Sequence, residues 1–209
     1  YYKDSPEELA VINYTSGSTG KPKMSLLKHG GMMNFITANQ RFWQNVDTVV
    51  SATIVTFDAF VMDSVLSVAQ GKQVVLASED EIYNQTLFEG LFEHSDRNMF
   101  FSTPTKIENY IESSKDKTYL SKIKSFVIGG EVFAEHLLEL IKEASLESAV
   151  YNIYGPTETT ICVMVDELEK GKEIILDLNS DEAVLDPATY ENLIAEKFAY
   201  MNTLPAGST

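Results

Sequence analysis

The chain has 209 residues, of which 44% are hydrophobic, and a formal net charge of −15 from 16 Lys and Arg against 31 Asp and Glu. This length and apolar content suffice for a sizeable core in one large domain, or in one domain with an appendage. The acidic balance and the lack of a long basic run argue against a nucleic-acid partner, because neutralising phosphates requires a basic face.

Membrane and extracellular classes are also disfavoured. No apolar stretch reaches the ~18–20 residues that a membrane-spanning helix needs, and the first residues do not resemble a signal peptide. The single cysteine, Cys162, excludes an internal disulfide, and the three widely spaced histidines form no zinc pattern. We therefore expect a soluble protein of the cytoplasm with no membrane partner.

Apolar segments of strand length alternate with amphipathic segments of helical period along most of the chain. This alternation predicts an α/β fold with a mostly parallel sheet and helices on both faces, where ligands bind at the carboxyl ends of the strands. The predicted strands cover residues 9–14, 48–54, 73–77, 99–101, 125–129 and 149–153. The predicted helices cover residues 31–44, 59–69, 84–94, 105–113 and 134–144.

The alternation stops near residue 165, which divides the chain into residues 1–165 and a tail, 166–209, of unassigned role. The tail begins with a polar stretch, and residues 173–177 are compatible with a short strand. A helix is predicted over 187–200, because an aspartate precedes a proline at its start. The apolar stripe of this helix is more typical of packing on a core than of cofactor binding.

A loop rich in glycine, hydroxyl and cationic residues follows the first predicted strand. It reads TSGSTGKPK from Thr15, and the apolar run before it predicts a buried strand. Glycines let backbone N–H groups approach phosphate oxygens, hydroxyls donate, and lysines neutralise charge. Only two residues separate Gly17 from Gly20, and Pro22 favours an extended chain after Lys21, so the pattern does not fit a P-loop NTPase. We predict a nucleotide-binding loop, with a solvated linker as the alternative.

A second polar motif, NIYGPTETT, starts at Asn152 directly after a predicted strand. The Thr157 hydroxyl could contact a phosphate oxygen, Glu158 could hold a magnesium ion through oxygen ligation, and Tyr154 could stack on a base. Taken alone, the motif is equally compatible with a tight surface turn that has an ordinary aromatic neighbour.

Together the two motifs resemble those of the adenylate-forming enzyme superfamily, and the second is closest to adenylation domains of nonribosomal peptide synthetases. Between them, FDA from Phe57 resembles the family's substrate-recognition motif, and GGE from Gly129 resembles the turn that lines its adenine site. The four motifs occur in the family's order and span about residues 9–165. The resemblance implies a flavodoxin-like subdomain of the adenylate-forming fold, which binds nucleotide and amino acid.

The resemblance implies ATP-dependent ligase chemistry with magnesium. A substrate carboxylate would attack the α-phosphate of ATP, and the acyl adenylate would then pass to the phosphopantetheine thiol of a carrier-protein domain. Thr15, Lys21 and Glu158 would act in catalysis, with Glu158 also holding the metal. The implied nucleotide contacts come from Ser16, Gly17, Ser18, Thr19, Gly20, Gly130, Glu131, Tyr154 and Thr157.

Substrate recognition is implied for Asp58, which would bind the α-ammonium group of an amino acid. A carboxylate at a strand end is a strong partner for a desolvated cation, although a helix cap is the alternative role. An apolar pocket gives a charged or amide side chain no partner, so a hydrophobic amino acid is expected, and plain core packing is the alternative for each pocket residue. The implied pocket residues are Ala59, Met62, Phe101, Val127, Gly129, Ile153, Ile161 and Cys162.

The family's downstream parts, including the small lid with its catalytic lysine, have no counterpart after Glu158. We therefore expect a central subdomain, unable to complete adenylation without the remaining parts of the adenylation domain. Two alternatives stay open at this point. One is a fragment of an acyl- or aryl-activating ligase, whose substrate has no ammonium group, and the other is a non-catalytic interaction module that retains the fold.

Overall fold

The structure is a computed structural model that describes residues 5–15 and 22–169. Its first element is an antiparallel ribbon of two strands, β1 (Leu9–Thr15) and β2 (Lys23–Lys28). The predicted extended path after Pro22 is therefore confirmed. The prediction that the first strand is buried is wrong, because Ile12 and Tyr14 are 47% and 66% exposed on the open face of the ribbon.

A six-stranded sheet forms the centre of the described chain, in the order β4-β3-β5-β6-β7-β8. The first five strands in this order are parallel to their neighbours, and the last is antiparallel, so the predicted mostly parallel sheet is confirmed. The strands are β3 (Thr48–Ser51), β4 (Gln73–Leu76), β5 (Asn98–Ser102), β6 (Ile123–Gly129), β7 (Ala149–Tyr154) and β8 (Met164–Glu167).

Helices cover both faces of this sheet, as predicted. The α-helices are α1 (His29–Ala38), α2 (Ala59–Val61), α3 (Ser67–Ala69), α4 (Glu79–Tyr83), α5 (Gln85–Gly90), α6 (Pro104–Ser113) and α7 (Glu135–Ala144). A π-helical turn, Met62–Leu66, joins α2 to α3, and short 3₁₀ turns occupy Gln40–Trp43, Leu91–His94, Thr118–Lys122 and Thr157–Thr159. None of the helices in the described ranges is long and apolar enough to cross a membrane.

The two faces of the sheet bury separate apolar clusters. On the first, which we call the α1 face, Phe35 of α1 and Met62 of the π-helical turn pack on Val49 and Val127 of the sheet. On the second, the α6 face, residues of α5, α6 and α7 pack on alternate strand positions such as Phe126. Successive side chains of a strand point to opposite faces, which divides each apolar strand between the two clusters.

Several element boundaries differ from the prediction. The helix predicted over 31–44 ends at Ala38 and continues as a 3₁₀ turn, and the helix predicted over 84–94 also ends in a 3₁₀ turn. Neither β2 nor β8 was predicted, and β8 crosses the predicted boundary at residue 165. The strand expected over 173–177 and the helix expected over 187–200 lie outside the described residues.

Candidate functional site

The carboxyl ends of four neighbouring strands bring the predicted site residues to one edge of the sheet. Asp58 follows β3, Phe101 lies near the end of β5, Gly129 ends β6 and Tyr154 ends β7. These strands are adjacent in the order β3-β5-β6-β7. Three of the four motifs found in the sequence therefore meet at this carboxyl edge.

Two pairs of predicted pocket residues are direct partners across neighbouring strands. Phe101 of β5 lies opposite Val127 of β6, and Gly129 of β6 lies opposite Ile153 of β7. A Cβ atom on Gly129 would lie 2.6 Å from both the Cγ1 atom and the carbonyl oxygen of Ile153. Such a distance is far below van der Waals contact, so only glycine lets Ile153 occupy its position.

The predicted apolar pocket residues form part of one cluster on the α1 face, and each is at most 9% exposed. Strand residues form one side of this group, and the other side comes from α2, the π-helical turn and the segment after the second motif. We call the group the pocket cluster. It consists of Ala59, Met62, Phe101, Val127, Ile153, Ile161 and Cys162.

Asp58 lies at the border between the pocket cluster and the second motif. One carboxylate oxygen accepts a hydrogen bond from the backbone N–H of Ala59 at 2.8 Å, so the side chain does cap α2. The Thr157 hydroxyl also donates to this carboxylate. Burial raises the pKa of Asp58 above its usual value, the two hydrogen bonds oppose that rise, and the nearby Glu158 carboxylate adds to it. The side chain is thus a partly desolvated carboxylate that a cation would stabilise.

The second motif folds into a tight loop with an unusual backbone. Thr160 and Ile161 have φ angles of 65° and 69°, a region that β-branched residues rarely adopt. Gly155 approaches the other end of the loop so closely that a Cβ atom on it would lie 2.4 Å from the Cα atom of Cys162. The loop therefore returns on itself and directs Ile161 and Cys162 into the pocket cluster, where they are 5% and 8% exposed.

The Gly130–Glu131 turn follows β6 and has a second, structural role. Gly130 has a φ angle of 84°, which glycine adopts without strain. The Glu131 carboxylate accepts a hydrogen bond from the backbone N–H of Thr105 at 3.0 Å, in the first turn of α6. Burial alone would raise the pKa of Glu131, but hydrogen bonds from Thr105 and Thr103 and the charge of Lys106 lower it below its usual value. Glu131 therefore acts as a cap for α6.

The phosphate-loop prediction is only partly within the described residues. Thr15 ends β1 and Lys23 begins β2, but Ser16, Gly17, Ser18, Thr19, Gly20 and Lys21 lie outside the described ranges. The strand that leaves the loop, β2, packs next to the 3₁₀ turn Thr157–Thr159 of the second motif.

The residues present fit a magnesium ion that is shared with phosphates. Glu158 is an exposed carboxylate on a 3₁₀ turn, between two threonines. Magnesium in nucleotide sites uses one or two carboxylates and takes its remaining ligands from phosphate and water. The described part of the chain contains no group of three or more acidic, histidine or cysteine side chains that could hold a metal alone. Glu158 would therefore hold the ion together with the nucleotide.

The sequence analysis missed a buried carboxyl group beside the pocket cluster. Asp63, in the π-helical turn directly after Met62, is fully buried and accepts a 2.6 Å hydrogen bond from the Thr53 hydroxyl. Burial raises its pKa to about 7, against the opposing effect of the hydroxyls of Thr53 and Ser51. Asp63 lies four residues after Ala59, and this spacing puts both side chains on the inward face of the helix. The spacing was the one feature of the sequence that indicated the burial of Asp63.

Three of the four motifs that resemble those of the adenylate-forming enzyme superfamily thus reach the carboxyl edge of one parallel sheet. A family model described as "AMP-binding enzyme" matches residues 2–189, so the chain belongs to that family.

Two curated relatives are large synthetases. The "Dimodular nonribosomal peptide synthase" of Bacillus subtilis (strain 168) is 32% identical over 164 residues, which cover 78% of this chain and 7% of that protein. The "PKS-NRPS hybrid synthetase acdB" of Aspergillus candidus is 30% identical over 173 residues, which cover 82% of this chain and 7% of that protein. The chain thus spans about 7% of the length of these relatives.

Solved structures share the fold. The Vibrio cholerae adenylation domain AlmE, in complex with glycyl-adenosine-5'-phosphate, matches with a TM-score of 0.70 and 26% identity, over 83% of this chain and 33% of that one. PA1221, described as an NRPS protein containing adenylation and PCP domains, matches with a TM-score of 0.68 and 19% identity, over 79% of this chain and 33% of that one. The latter supports the fold alone. The family match and the two synthetase relatives identify the chain as a fragment of an adenylation domain.

Proposed function

We propose that the chain is the substrate-recognition core of an amino-acid adenylating domain, which activates a hydrophobic amino acid with ATP. The observation that supports this most directly is the position of Asp58. Its carboxylate borders the apolar pocket cluster on one side and accepts a hydrogen bond from Thr157 of the second motif on the other. A substrate bound there has its amino group at Asp58 and its carboxylate directed toward the second motif.

The electrostatics of Asp58 favour an ammonium ligand. Because burial raises the pKa of this carboxyl, its charged form is less stable than in water. A substrate ammonium group would stabilise that charge through a charge-assisted hydrogen bond. A substrate without an ammonium group would leave the partly buried Asp58 carboxylate without this partner.

The apolar pocket cluster supports a hydrophobic side chain on the substrate. A charged or amide side chain would lose its hydration there without a compensating partner. Among aliphatic side chains that differ by one methylene, such a pocket discriminates only about 10- to 200-fold. The proposal therefore extends to the substrate class and not to one amino acid.

In the proposed reaction, a carboxylate oxygen of the amino acid forms a bond to the α-phosphorus of ATP. The bond from that phosphorus to the oxygen that bridges it to the β-phosphate breaks, and pyrophosphate leaves with the electron pair. Thr15, Lys21 and the loop between them would hold the triphosphate, while Tyr154, Thr157, Gly130 and Glu131 would contact the nucleotide. A magnesium ion held by Glu158 would neutralise charge that develops on the phosphates.

The proposed partners are the remaining parts of the adenylation domain and a carrier-protein domain whose phosphopantetheine thiol receives the acyl group. AlmE is about three times as long as the segment matched here, which covers 33% of it. We therefore expect no complete turnover from this chain alone. A reducing cytoplasm is the proposed compartment, because Cys162 is a buried free thiol.

Calorimetric titration of the chain with MgATP tests the nucleotide half of the proposal. We expect saturable heat at millimolar ligand or below. The absence of any heat up to that concentration would favour the non-catalytic interaction module. Pyrophosphate exchange is not informative here, because both hypotheses predict none from so short a chain.

Matched adenylate mimics test the amino-acid half. The probes are 5'-O-sulfamoyladenosine acylated with L-phenylalanine or L-leucine, and the same compounds without the amino group. We expect the wild-type chain to prefer the amino forms, and Asp58→Asn to reduce that preference at least about tenfold by weakening the ion pair. Asp47→Asn is the control, because Asp47 is an exposed carboxylate at the opposite end of β3, paired with Arg97. A wild-type preference for the deamino forms, unaffected by Asp58→Asn, would favour an acyl- or aryl-activating ligase.

A further inference from the structure

The helix that carries the substrate-recognition motif contains an irregular turn directly behind the pocket. Residues Met62–Leu66 form a π-helical turn between the short segments α2 and α3. A π-turn holds one residue more than an α-turn, is rarely stable without support, and occurs frequently at functional sites. Asp58 and Met62 precede or begin this turn, so its geometry sets their direction relative to the rest of the helix.

A buried chain of hydrogen bonds supports the turn. The Ser67 hydroxyl donates to the carbonyl oxygen of Met62, five residues earlier, at 2.8 Å. The same hydroxyl accepts a hydrogen bond from the indole N–H of Trp43 at 2.8 Å. Ser67 and Met62 are 0% exposed and Trp43 is 3% exposed, so water cannot replace either bond without opening the core.

We call the hydrogen bonds from Trp43 to Ser67 and from Ser67 to Met62 the relay. The direction of each hydrogen bond in the relay is fixed. The indole N–H can only donate and the Met62 carbonyl can only accept, so the single hydroxyl proton of Ser67 must point to Met62. Trp43 is itself held by Phe35 and Phe42, with ring centroids 6.4 Å and 5.9 Å away. The relay therefore connects a rigid aromatic group on the α1 face to the backbone of a pocket residue.

We propose that Ser67 and Trp43 are positioning residues for substrate recognition, which hold the π-helical turn so that Asp58 and Met62 both face the substrate. This inference rests on the proposed function. If the turn relaxed to regular α-helix, the segment before it would rotate by about 100° and shift by about 1.5 Å relative to α3. The Asp58 carboxylate would then move away from Thr157, and Met62 would leave the pocket cluster.

Substitution of Ser67 gives the most direct test. Ser67→Ala removes the link and leaves both the Trp43 N–H and the Met62 carbonyl without their partner. Ser64→Ala is the matched control, since the Ser64 hydroxyl donates to the Phe60 carbonyl within the same helix and is not one of the groups in the Trp43–Ser67–Met62 bonds. Trp43→Phe is the second variant, because it removes the indole donor, together with part of the ring volume, and keeps the Ser67–Met62 bond.

Two ligands separate positioning from a general loss of stability. Adenosine probes only the nucleoside site after β6 and β7, whereas L-phenylalanyl-5'-O-sulfamoyladenosine also requires Asp58 and the pocket cluster. For Ser67→Ala we expect at least about a fivefold loss of affinity for the aminoacyl probe, with adenosine affinity within about twofold of wild type. Trp43→Phe should lose less, and Ser64→Ala should match wild type for both ligands.

The fluorescence of Trp43 reports independently on the relay, because the chain contains one tryptophan. Its emission should shift in Ser67→Ala and stay unchanged in Ser64→Ala. A shifted emission in Ser67→Ala together with wild-type affinity for the aminoacyl probe would overturn the inference and leave the proposed function intact. Equal losses for adenosine and the aminoacyl probe would also overturn it. Failure of the wild-type chain to bind either ligand would contradict the proposed function and, with it, this inference.

Discussion

The two faces of the parallel sheet use the same kinds of elements but differ in what they bury. The α6 face is filled by stacked and edge-on aromatic rings, such as Phe88 on Tyr110 with centroids 3.7 Å apart. Its buried amide, Asn98, donates hydrogen bonds to backbone carbonyls of Phe92 and Lys122. The α1 side instead contains a buried carboxyl at Asp63, a π-helical turn and two β-branched residues with positive φ.

This difference separates a face that stabilises the fold from a face that holds the candidate site. Strained backbone and desolvated charge each cost free energy and persist only where surrounding packing enforces them. Here both kinds of cost lie on the α1 side, next to the carboxyl ends of the strands. The α6 face, which contains no residue of the pocket cluster, supplies the packing that offsets these costs.

The largest expected effect is the loss of aromatic packing on the α6 face. Phe88 is fully buried and contacts Phe92, Phe100, Tyr110 and Tyr119. Phe88→Ala should lower the free energy of unfolding by about 3–5 kcal/mol, through lost burial and the cavity left behind. Urea denaturation measures this loss, and Phe88→Leu should show a smaller one. Adenosine affinity of the folded protein should stay within about twofold of wild type, and a larger change would contradict the separation of the two faces.

A pH-dependent effect is expected from Asp63 on the α1 side. Burial raises the pKa of its carboxyl from 3.8 to about 7 in the folded chain. Between these values the folded chain holds a proton at this position that the unfolded chain has released, so this contribution to stability is present at low pH and is lost as pH rises through 7.

The variant Asp63→Asn stays neutral and keeps an oxygen for the Thr53 hydroxyl, so it should not show this loss. Relative to wild type, it should gain stability on the order of 4 kcal/mol between pH 4 and pH 8. Urea denaturation at several pH values measures the gain, with Asp80→Asn, an exposed carboxylate in the first turn of α4, as control. A pH-independent difference between Asp63→Asn and wild type would mean that Asp63 is ionised throughout the folded state.

The strands of the parallel sheet were predictable because parallel strands are buried on both faces and read as continuous apolar runs. The site was partly predictable for the same reason, since Asp58, Gly129 and Tyr154 each follow or end such a run. The ribbon was harder to predict. Its second strand, KMSLLK, is short and mixed, and the open face of the first strand is apolar, so no local pattern indicates that this face is exposed.

The irregular features of the site could not be read from local patterns. The spacing of apolar residues predicted a helix over 59–69, and the helix is present, but its π-turn depends on Trp43 and Ser67, which are far apart in sequence. Likewise, the positive φ angles of Thr160 and Ile161 contradict local preference and are held by the close approach of Gly155 to Cys162. Tertiary contacts determine both features, as is usual where a site departs from regular structure.

The next largest expected effect is on the tight loop of the second motif. Gly155→Ala would place a methyl group 2.4 Å from the Cα atom of Cys162, so one of the two backbone segments must move. We expect a loss of about 1–3 kcal/mol in the free energy of unfolding. We also expect weaker binding of L-phenylalanyl-5'-O-sulfamoyladenosine, because Ile161 and Cys162 would shift in the pocket cluster. Thermal unfolding and calorimetry measure the two effects, and lost stability with unchanged probe affinity would show that the loop does not shape the pocket.

The smallest expected effect is the change in stability on substituting two helical glycines, one on each side of the sheet. Gly90 of α5 has helical backbone angles and open space around its Cβ position, so Gly90→Ala should stabilise the chain by about 0.4–1 kcal/mol. Gly31 of α1 would gain the same helical preference, but its Cβ atom would lie 2.9 Å from the Thr160 hydroxyl oxygen. Gly31→Ala should therefore give no gain in urea denaturation. Adding Thr160→Ala to it should restore part of the gain, since the hydroxyl is then absent. Equal gains at Gly31 and Gly90 would mean that α1 does not press on the strained loop, and the α1 side would then tolerate change as readily as the α6 side.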